Sequence, residues 1–224
     1  MFSSEVAVPK RERTRARLIE IALRSFRERG YDDTTIRLIA TEAGVSTGNA
    51  YYHFPTKNHL VQELYLQVQG EHRDAAAAGL AANDDLVERL RVVYHSGIDT
   101  LAPFHEFAPG FLSAAMSPRS PINPLSTDSQ PARDIAVSTF REAAAGAKKG
   151  FPAEFTDRVP DLLLLAYLLL ALFWVYDRSP GQQRTHRLID RGLALLKLGL
   201  PLTRTPVLRA PLREFFDMVA EVAA

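Results

Sequence analysis

Cysteine is absent from the 224 residues, which removes disulfides and thiolate metal sites and fits a reducing compartment. A surplus of either charge is also absent. Lys and Arg number 27 against 26 Asp and Glu, for a formal net charge of +1. Overall basicity therefore announces no nucleic acid, and local charge must carry any such argument. The opening MFSSEVAVPKRERTR has no apolar stretch of signal-peptide length. The longest apolar run, Leu162 to Tyr176, is fifteen residues, short of the roughly 20 that a membrane span needs, and reads as a buried helix. No membrane is expected, and the expected location is the cytoplasm. Strand-type alternation is nearly missing.

Catalytic and metal signatures are missing too. The six histidines, His53, His59, His72, His95, His105 and His186, form no paired metal spacing, and His105-Glu106 alone is weak. Ser113, Ser117 and Ser120 sit in no nucleophile elbow. There is no phosphate loop and no dinucleotide fingerprint, and Asp84-Asp85 is the only adjacent acid pair in the second part of the chain. No catalytic residue, metal or cofactor is expected.

What is present is helical periodicity. With 46% hydrophobic and 24% charged residues, the chain has the balance of a globular protein with a real core. Residues 1–9 read as a disordered arm. A first helix is expected from Thr14 to Arg29, stopped by Gly30. A second carries Ile36, Ile39, Ala40 and Ala43 after the cap pair Thr34-Thr35 and ends at Gly44. Ser46 caps a third to about His53, and Thr56 a fourth from Lys57 to about Ala78. Asp84 or Asp85 opens a fifth with Leu86, Leu90, Val93 and Leu101. Phe104 to Met116 reads as a short helix kinked at Pro109-Gly110. Ser117 to Pro131 reads as a proline-rich mobile loop. Further helices are expected from Pro131 to Lys149, from Pro160-Asp161 to Tyr176, from Gln182 to Leu198 beyond a turn at Asp177–Gly181, and from Pro206 to Ala223. No internal repeat stands out.

The informative stretch is TTIRLIATEAGVSTGNAYYHFPTKNHL, Thr34 to Leu60. Two short helices with a glycine turn between them follow the helix-turn-helix plan. Ile36, Ile39, Ala40, Val45 and Phe54 would pack the helices together. The outer face of the third helix then presents Thr47, Gly48, Asn49, Tyr51, Tyr52 and His53. Such a helix enters the major groove by its N-terminal end, where Gly48 permits close approach and Ser46 and Thr47 can bond phosphate. Tyr52, His53 and Lys57 lie where a phosphate strand would pass. Lys10, Arg11, Arg13, Arg15 and Arg17, opposed only by Glu12, would add salt-dependent affinity.

The run T-x-x-x-I-A-x-x-A-G-V-S-x-G-x-x-Y-Y-x-F followed by x-x-K-x-x-L, from Thr35 to Leu60, resembles the N-terminal domain of the tetracycline-repressor (TetR-type) family, over about Arg13 to Leu64. The resemblance implies that Thr35 opens the second helix at the phosphate backbone and that Arg37 reaches a base edge. It also implies that Thr47, Gly48, Asn49 and Tyr51 face the groove, while Tyr52, His53 and Lys57 hold phosphates. Two positions depart from the family pattern: Ala50, where a larger aliphatic residue is usual, and His59, where a glutamate commonly completes the capping box after Thr56. The stretch Trp174 to Leu196 is a weaker match to one subset of such regulators.

The expected architecture is all-α: a helix-turn-helix DNA-binding domain at 10–60, with its motif at about 35–54, and a helical effector-binding and dimerisation domain at 61–224. Tyr94, Phe104, Phe107, Phe111, Met116 and Tyr167 could line an apolar effector pocket, and core packing explains each of them equally well. Tyr167 and Trp174, a heptad apart, read as core or dimer contacts. The nearly all-round apolar helix to Tyr176 needs cover on every side. The resemblance supplies it as a four-helix dimer interface, with Leu163, Leu170, Val175, Leu188, Leu195 and Leu196 as candidates. The expected partners are a palindromic operator duplex, a second copy of the chain and a small hydrophobic effector. Two readings stay beside this one: a DNA-binding regulator that senses a protein partner or nothing, and an all-helical enzyme or carrier with a vestigial head.

Overall fold

The computed structural model describes residues 9–205, 210–215 and 217–218. The arm at 1–8 and most of the expected terminal helix lie outside the described residues, although 210–215 and 217–218 are helical. The described regular structure is helical: α1 Lys10–Asp33, α2 Ile36–Ala43, α3 Thr47–His53, α4 Lys57–Ala82, α5 Leu86–Leu101, α6 Ala108–Ala115, α7 Gln130–Ala145, α8 Val159–Tyr176 and α9 Gln183–Gly199, with short 3₁₀ turns between some of them.

Helix ends follow local chemistry. Gly30 takes φ +78°, breaking the regular turn four residues before α1 finishes. Thr35 caps α2 by accepting from Leu38 N at 3.2 Å, and Ser46 caps α3 by accepting from Asn49 N at 3.2 Å. Gly44, left-handed at φ +66°, closes α2. At α4 the capping box is replaced: Thr56 Oγ1 bonds the His59 ring at 2.8 Å and makes no backbone cap. Pro109 lies in the first turn of α6, where its missing N–H costs nothing. The expected kink is therefore a junction between a 3₁₀ turn, Ala102–Phe107, and α6.

α7 stops at Ala145, four residues short of expectation, because Arg89 claims its last carbonyls. The Arg89 guanidinium is buried and faces no carboxylate. It donates to Ala143 O at 2.8 Å, Glu142 O at 2.7 Å, Asn83 O at 2.8 Å and Leu80 O, joining the negative C-terminal ends of α4 and α7. A Cβ at Gly146 would land on that guanidinium. Beyond it, Lys148 N bonds Asp84 O at 2.9 Å.

Two hydrophobic clusters result. The body cluster joins α4, α5, α7, α8 and α9 through Leu90, Val93, Phe140, Phe155, Tyr167, Trp174 and Ile189. The head cluster joins α1–α4 through Leu18, Phe26, Ile39, Phe54, Leu60 and Val68, but it also takes Phe104, Ala115 and Ile122 from beyond α5. The head core is thus completed by chain from the body.

The segment expected to be a mobile door is a staircase of four turns. Ser120, Asn123, Ser126 and Ser129 each donate an N–H to the carbonyl three residues back. The sequence SPRSPINPLSTDS shows why: Ser or Asn begins each turn, and Pro follows in the first three, which suits successive type I turns. Ile122 is fully buried, Tyr65 Oη donates to its carbonyl at 2.9 Å, and Gln62 Nε2 donates to Pro121 O at 2.7 Å. The staircase is tied to α4.

Between α8 and α9, buried Asp177 accepts from Ser179 N at 2.9 Å and Oγ at 2.6 Å, and from Thr185 N and Oγ1, both at 2.8 Å. Burial alone would raise this carboxyl, but the hydrogen bonds from Ser179 and Thr185 outweigh it and hold the group well below the usual carboxylate range. A depressed carboxylate stabilises the fold above its unfolded value of about 3.9, and that contribution fades as pH falls below it. Asp177→Asn should therefore destabilise the protein by about 1–3 kcal/mol at neutral pH. The gap from wild type in urea unfolding should shrink progressively in acid below about pH 4.

Candidate nucleic-acid interface

α2 and α3 pack through Ile36, Ile39, Ala40, Ala43, Ala50 and Phe54, all buried. Ala50 fills the close approach of α3 to the head, where its small side chain is 1% exposed. With that face inward, α3 turns Gly48, Asn49, Tyr51 and Tyr52 to solvent, with Thr47 and His53 half-buried beside them. Tyr52 is 66% exposed, an unusual state for an aromatic that could have been folded in. A Cβ at Gly48 would meet nothing within 4 Å. Glycine inside a helix costs about 0.5–1 kcal/mol relative to alanine, and the chain's own packing gives no reason for it here.

The basic cluster meets this face. A cleft between α1 and α3 is lined by Lys10, Arg11, Thr14, Asn49, Tyr52 and His53. The Arg11 guanidinium lies 5.4 Å from the Tyr52 ring centre. Arg13 and Arg17 are exposed, while Arg15 is paired with Glu63 and stacked over Phe54. Arg37 and Thr35 are exposed on α2. Glu42 is tied to Arg24 at 3.2 Å and Arg29 at 3.0 Å, and the bond from Arg24 leads in holding its carboxyl below the usual range.

Lys57 is placed differently from a free phosphate ligand. Its Nζ donates to Tyr31 O at 2.7 Å and lies 3.8 Å from the Tyr31 ring centre. Partial burial lowers its pKa, against the opposing charges of Asp32 and Asp33. An ammonium has three donors, so this bond alone does not exhaust it. It does fasten the start of α4 to the end of α1.

The six aromatic and Met positions named for an effector pocket do not converge. Phe104 is in the head cluster under Arg27, whose guanidinium is 5.3 Å from its ring centre. Phe107 packs so closely on Gly30 that a Cβ there would lie 2.9 Å from its ring. Phe111 sits 5.4 Å from Phe26 and 5.7 Å from Tyr31. Met116 is exposed. Only Tyr94 and Tyr167 reach the body core, where they flank Phe140 and donate to Leu163 O at 3.1 Å and Gly97 O at 3.2 Å. The three phenylalanines serve the joint between head and body, because the 3₁₀ turn and α6 lie against α1.

The dimer candidates also divide. Leu163 and Val175 are buried within the chain, and Leu170 and Leu196 pack at the edge of the body cluster. Leu188 and Leu195 are exposed, and they share a surface class with residues the sequence reading missed: Leu169, Leu172, Phe173 and Tyr176 on α8, and Leu198 on α9. The 3.6-residue phase of α8 contained this signal, but an all-round apolar helix hides which side faces out. α8 is, by length and composition, long and apolar enough to cross a membrane, and 39% of it is buried against the body.

Comparison with known proteins decides the family. The description "Tetracyclin repressor-like, C-terminal domain" matches residues 89–222, more than half of the chain, and "Bacterial regulatory proteins, tetR family" matches residues 18–64. The chain belongs to the TetR family. It is a transcriptional regulator and not an enzyme. Over 89 residues it is 36% identical to the HTH-type transcriptional repressor KstR2 of Rhodococcus jostii, a span of 38% of this chain and 43% of that one. Over 79 residues it is 40% identical to the HTH-type transcriptional regulator TtgR of Pseudomonas putida, spanning 35% and 37%. The chain thus matches less than half the length of these curated relatives. A TetR-family regulator from Streptomyces coelicolor superposes with a TM-score of 0.59 at 24% identity, covering 95% of this chain and 88% of that one. Thermus thermophilus FadR, a TetR-family repressor solved with lauroyl-CoA, gives 0.57 at 21% identity, covering 80% and 93%. These two likenesses establish a shared TetR fold.

Proposed function

We propose that this TetR regulator is a cytoplasmic homodimeric repressor, released from a palindromic operator by a small hydrophobic effector. α3 reads the major groove through Thr47, Gly48, Asn49 and Tyr51, with Arg37 reaching a base edge. Thr35, Ser46, Tyr52, His53 and Lys57 hold phosphates, and Lys57 must exchange its Tyr31 carbonyl for one or share itself between the two. The carrying observation for DNA is the outward face of α3, where Gly48 and the exposed tyrosines have no role in the chain's own packing. Lys57→Ala should weaken binding by a similar factor on every duplex. Arg37→Ala and Asn49→Ala should relax preference at particular base pairs, at a cost of about 1–3 kcal/mol each. Anisotropy titrations against a set of single-base operator variants test this, and the opposite pattern overturns the assignment.

Dimerisation is supported by the apolar outer face of α8 and α9. Effector control is supported by the joint. The 3₁₀ turn and α6 touch α1 through Phe104, Phe107 and Phe111, so a ligand that displaces them moves the head. Trp174, on α8, lies against His105 of the 3₁₀ turn, and its indole N–H is buried without an acceptor. A buried donor left unpaired costs about 1–3 kcal/mol, which an effector carrying an acceptor would recover. Trp174 is the only tryptophan, so its fluorescence reports occupancy. Hydrophobic compounds that change it should also release DNA, and DNA should weaken their binding by the same factor. Release of DNA by compounds that leave Trp174 unchanged would move the site elsewhere. The partner-sensing reading draws on the satisfied hydroxyls of Tyr94 and Tyr167, and it gains if no compound does both.

A further inference from the structure

His95 on α5 and His186 on α9 approach through their Nδ1 atoms at 2.7 Å. Their ring centres are 4.9 Å apart and their planes differ by 9°. Nitrogens can come so much closer than the centres only if each lies near the line joining them. The rings therefore meet edge to edge in nearly one plane, with the two Nδ1 positions head-on.

The outer nitrogens are also engaged. His95 Nε2 is 3.1 Å from Asp190 Oδ1, and His186 Nε2 faces Asp99 Oδ1 at 3.5 Å. A carboxylate is an acceptor, so each Nε2 must carry a hydrogen. A neutral imidazole has one N–H, and two neutral rings would leave bare Nδ1 lone pairs opposed across 2.7 Å. We propose that the His95–His186 pair is a proton-binding site that latches α9 to α5: one proton beyond the two of the neutral rings sits between the Nδ1 atoms. The gap suits a proton and not a bridging metal, since two bonds of about 2.0–2.1 Å to one tetrahedral ion would hold the nitrogens farther apart.

The latch has two failure modes. Loss of the shared proton opposes two lone pairs; gain of a second opposes two N–H groups. Holding one proton, the pair is a single cation. The charged groups around it are Glu88, Arg91 and Asp99 on α5 and Asp190 on α9. Arg91 is paired with both Glu88 and Asp190. Arg184, Arg187 and Arg191 of α9 are exposed. The only charged side chain of α8, which packs on both helices, is Asp161 in its first turn, and the 3₁₀ turn Pro180–Gln182 beside α9 has none. Because α9 also carries exposed Leu188 and Leu195, the proton acts on a helix of the apolar outer face. This inference stands on the contact geometry and does not depend on the effector.

Two measurements on the full chain test it. Long-range ¹H–¹⁵N imidazole spectra of the wild type should show both Nε2 atoms protonated and one proton shared by the two Nδ1 atoms. Two rings that titrate independently as ordinary neutral tautomers would overturn the proposal. Urea unfolding scanned between about pH 5 and 8, the histidine range, should pass through a maximum in the wild type. In His95→Gln and His186→Gln that maximum should be lost, with a change on the order of tenfold in the unfolding constant at its position. Parallel wild-type and variant profiles would equally overturn it. If a variant fails to fold, the wild-type spectra decide alone.

Discussion

Arg89→Met should lower the stability of the protein by about 3 kcal/mol or more. The guanidinium supplies donors to four carbonyls at the ends of two helices, and those of Leu80 and Ala143 are in buried bonds. Each buried acceptor left alone costs about 1–3 kcal/mol. Methionine fills the volume but donates nothing, so the loss isolates the hydrogen bonds from the packing. Arg89→Lys should recover only part, because a single ammonium lacks the planar fork that spans α4 and α7. Urea unfolding followed by far-UV circular dichroism gives the number. A loss below about 1 kcal/mol for Arg89→Met would mean that water readily replaces the arginine.

Leu195→Glu is the second large effect, and it falls on assembly. Leu195 is 70% exposed in the single chain, so a glutamate there should leave the protomer's fold intact. At a dimer interface the same charge would be buried without a partner. Light scattering should then find monomers at micromolar concentration where the wild type is a dimer. Operator affinity should fall by about 10²–10⁴, the usual gain from two linked contacts. Leu163→Glu is the contrast: Leu163 is buried within the chain, and its variant should unfold rather than dissociate.

The head was legible because its signals are local. The caps at Thr35 and Ser46, the left-handed Gly44 and the apolar spacing of Ile36, Ile39 and Ala40 lie within one stretch of chain, and each specifies one turn of backbone. The phenylalanines at 104, 107 and 111 were readable as apolar but not as joint residues. Their partners, Phe26, Gly30 and Tyr31, lie some seventy or more positions earlier, and nothing in composition links the two. Arg89 misled for a similar reason: a lone arginine in an amphipathic helix reads as surface, and only the convergence of two helix ends explains its burial. The staircase at 117–129 was in plain view as a three-residue period, but proline and serine were taken as signs of mobility and their spacing was passed over. His95 and His186, 91 residues apart, left no spacing signature at all.

The central claim is that the chain reads duplex DNA as a TetR regulator through α3. Selection of bound sequences from a random duplex library, followed by anisotropy titration of the winner across salt, tests it directly. The account predicts a palindrome whose half-sites are about one helical turn apart or slightly more, with affinity falling steeply as salt rises, and with a shallower salt slope in the double variant Lys10→Ala/Arg11→Ala. Failure to enrich any sequence, or enrichment unchanged when Asn49 and Tyr51 are both replaced by alanine, would contradict it.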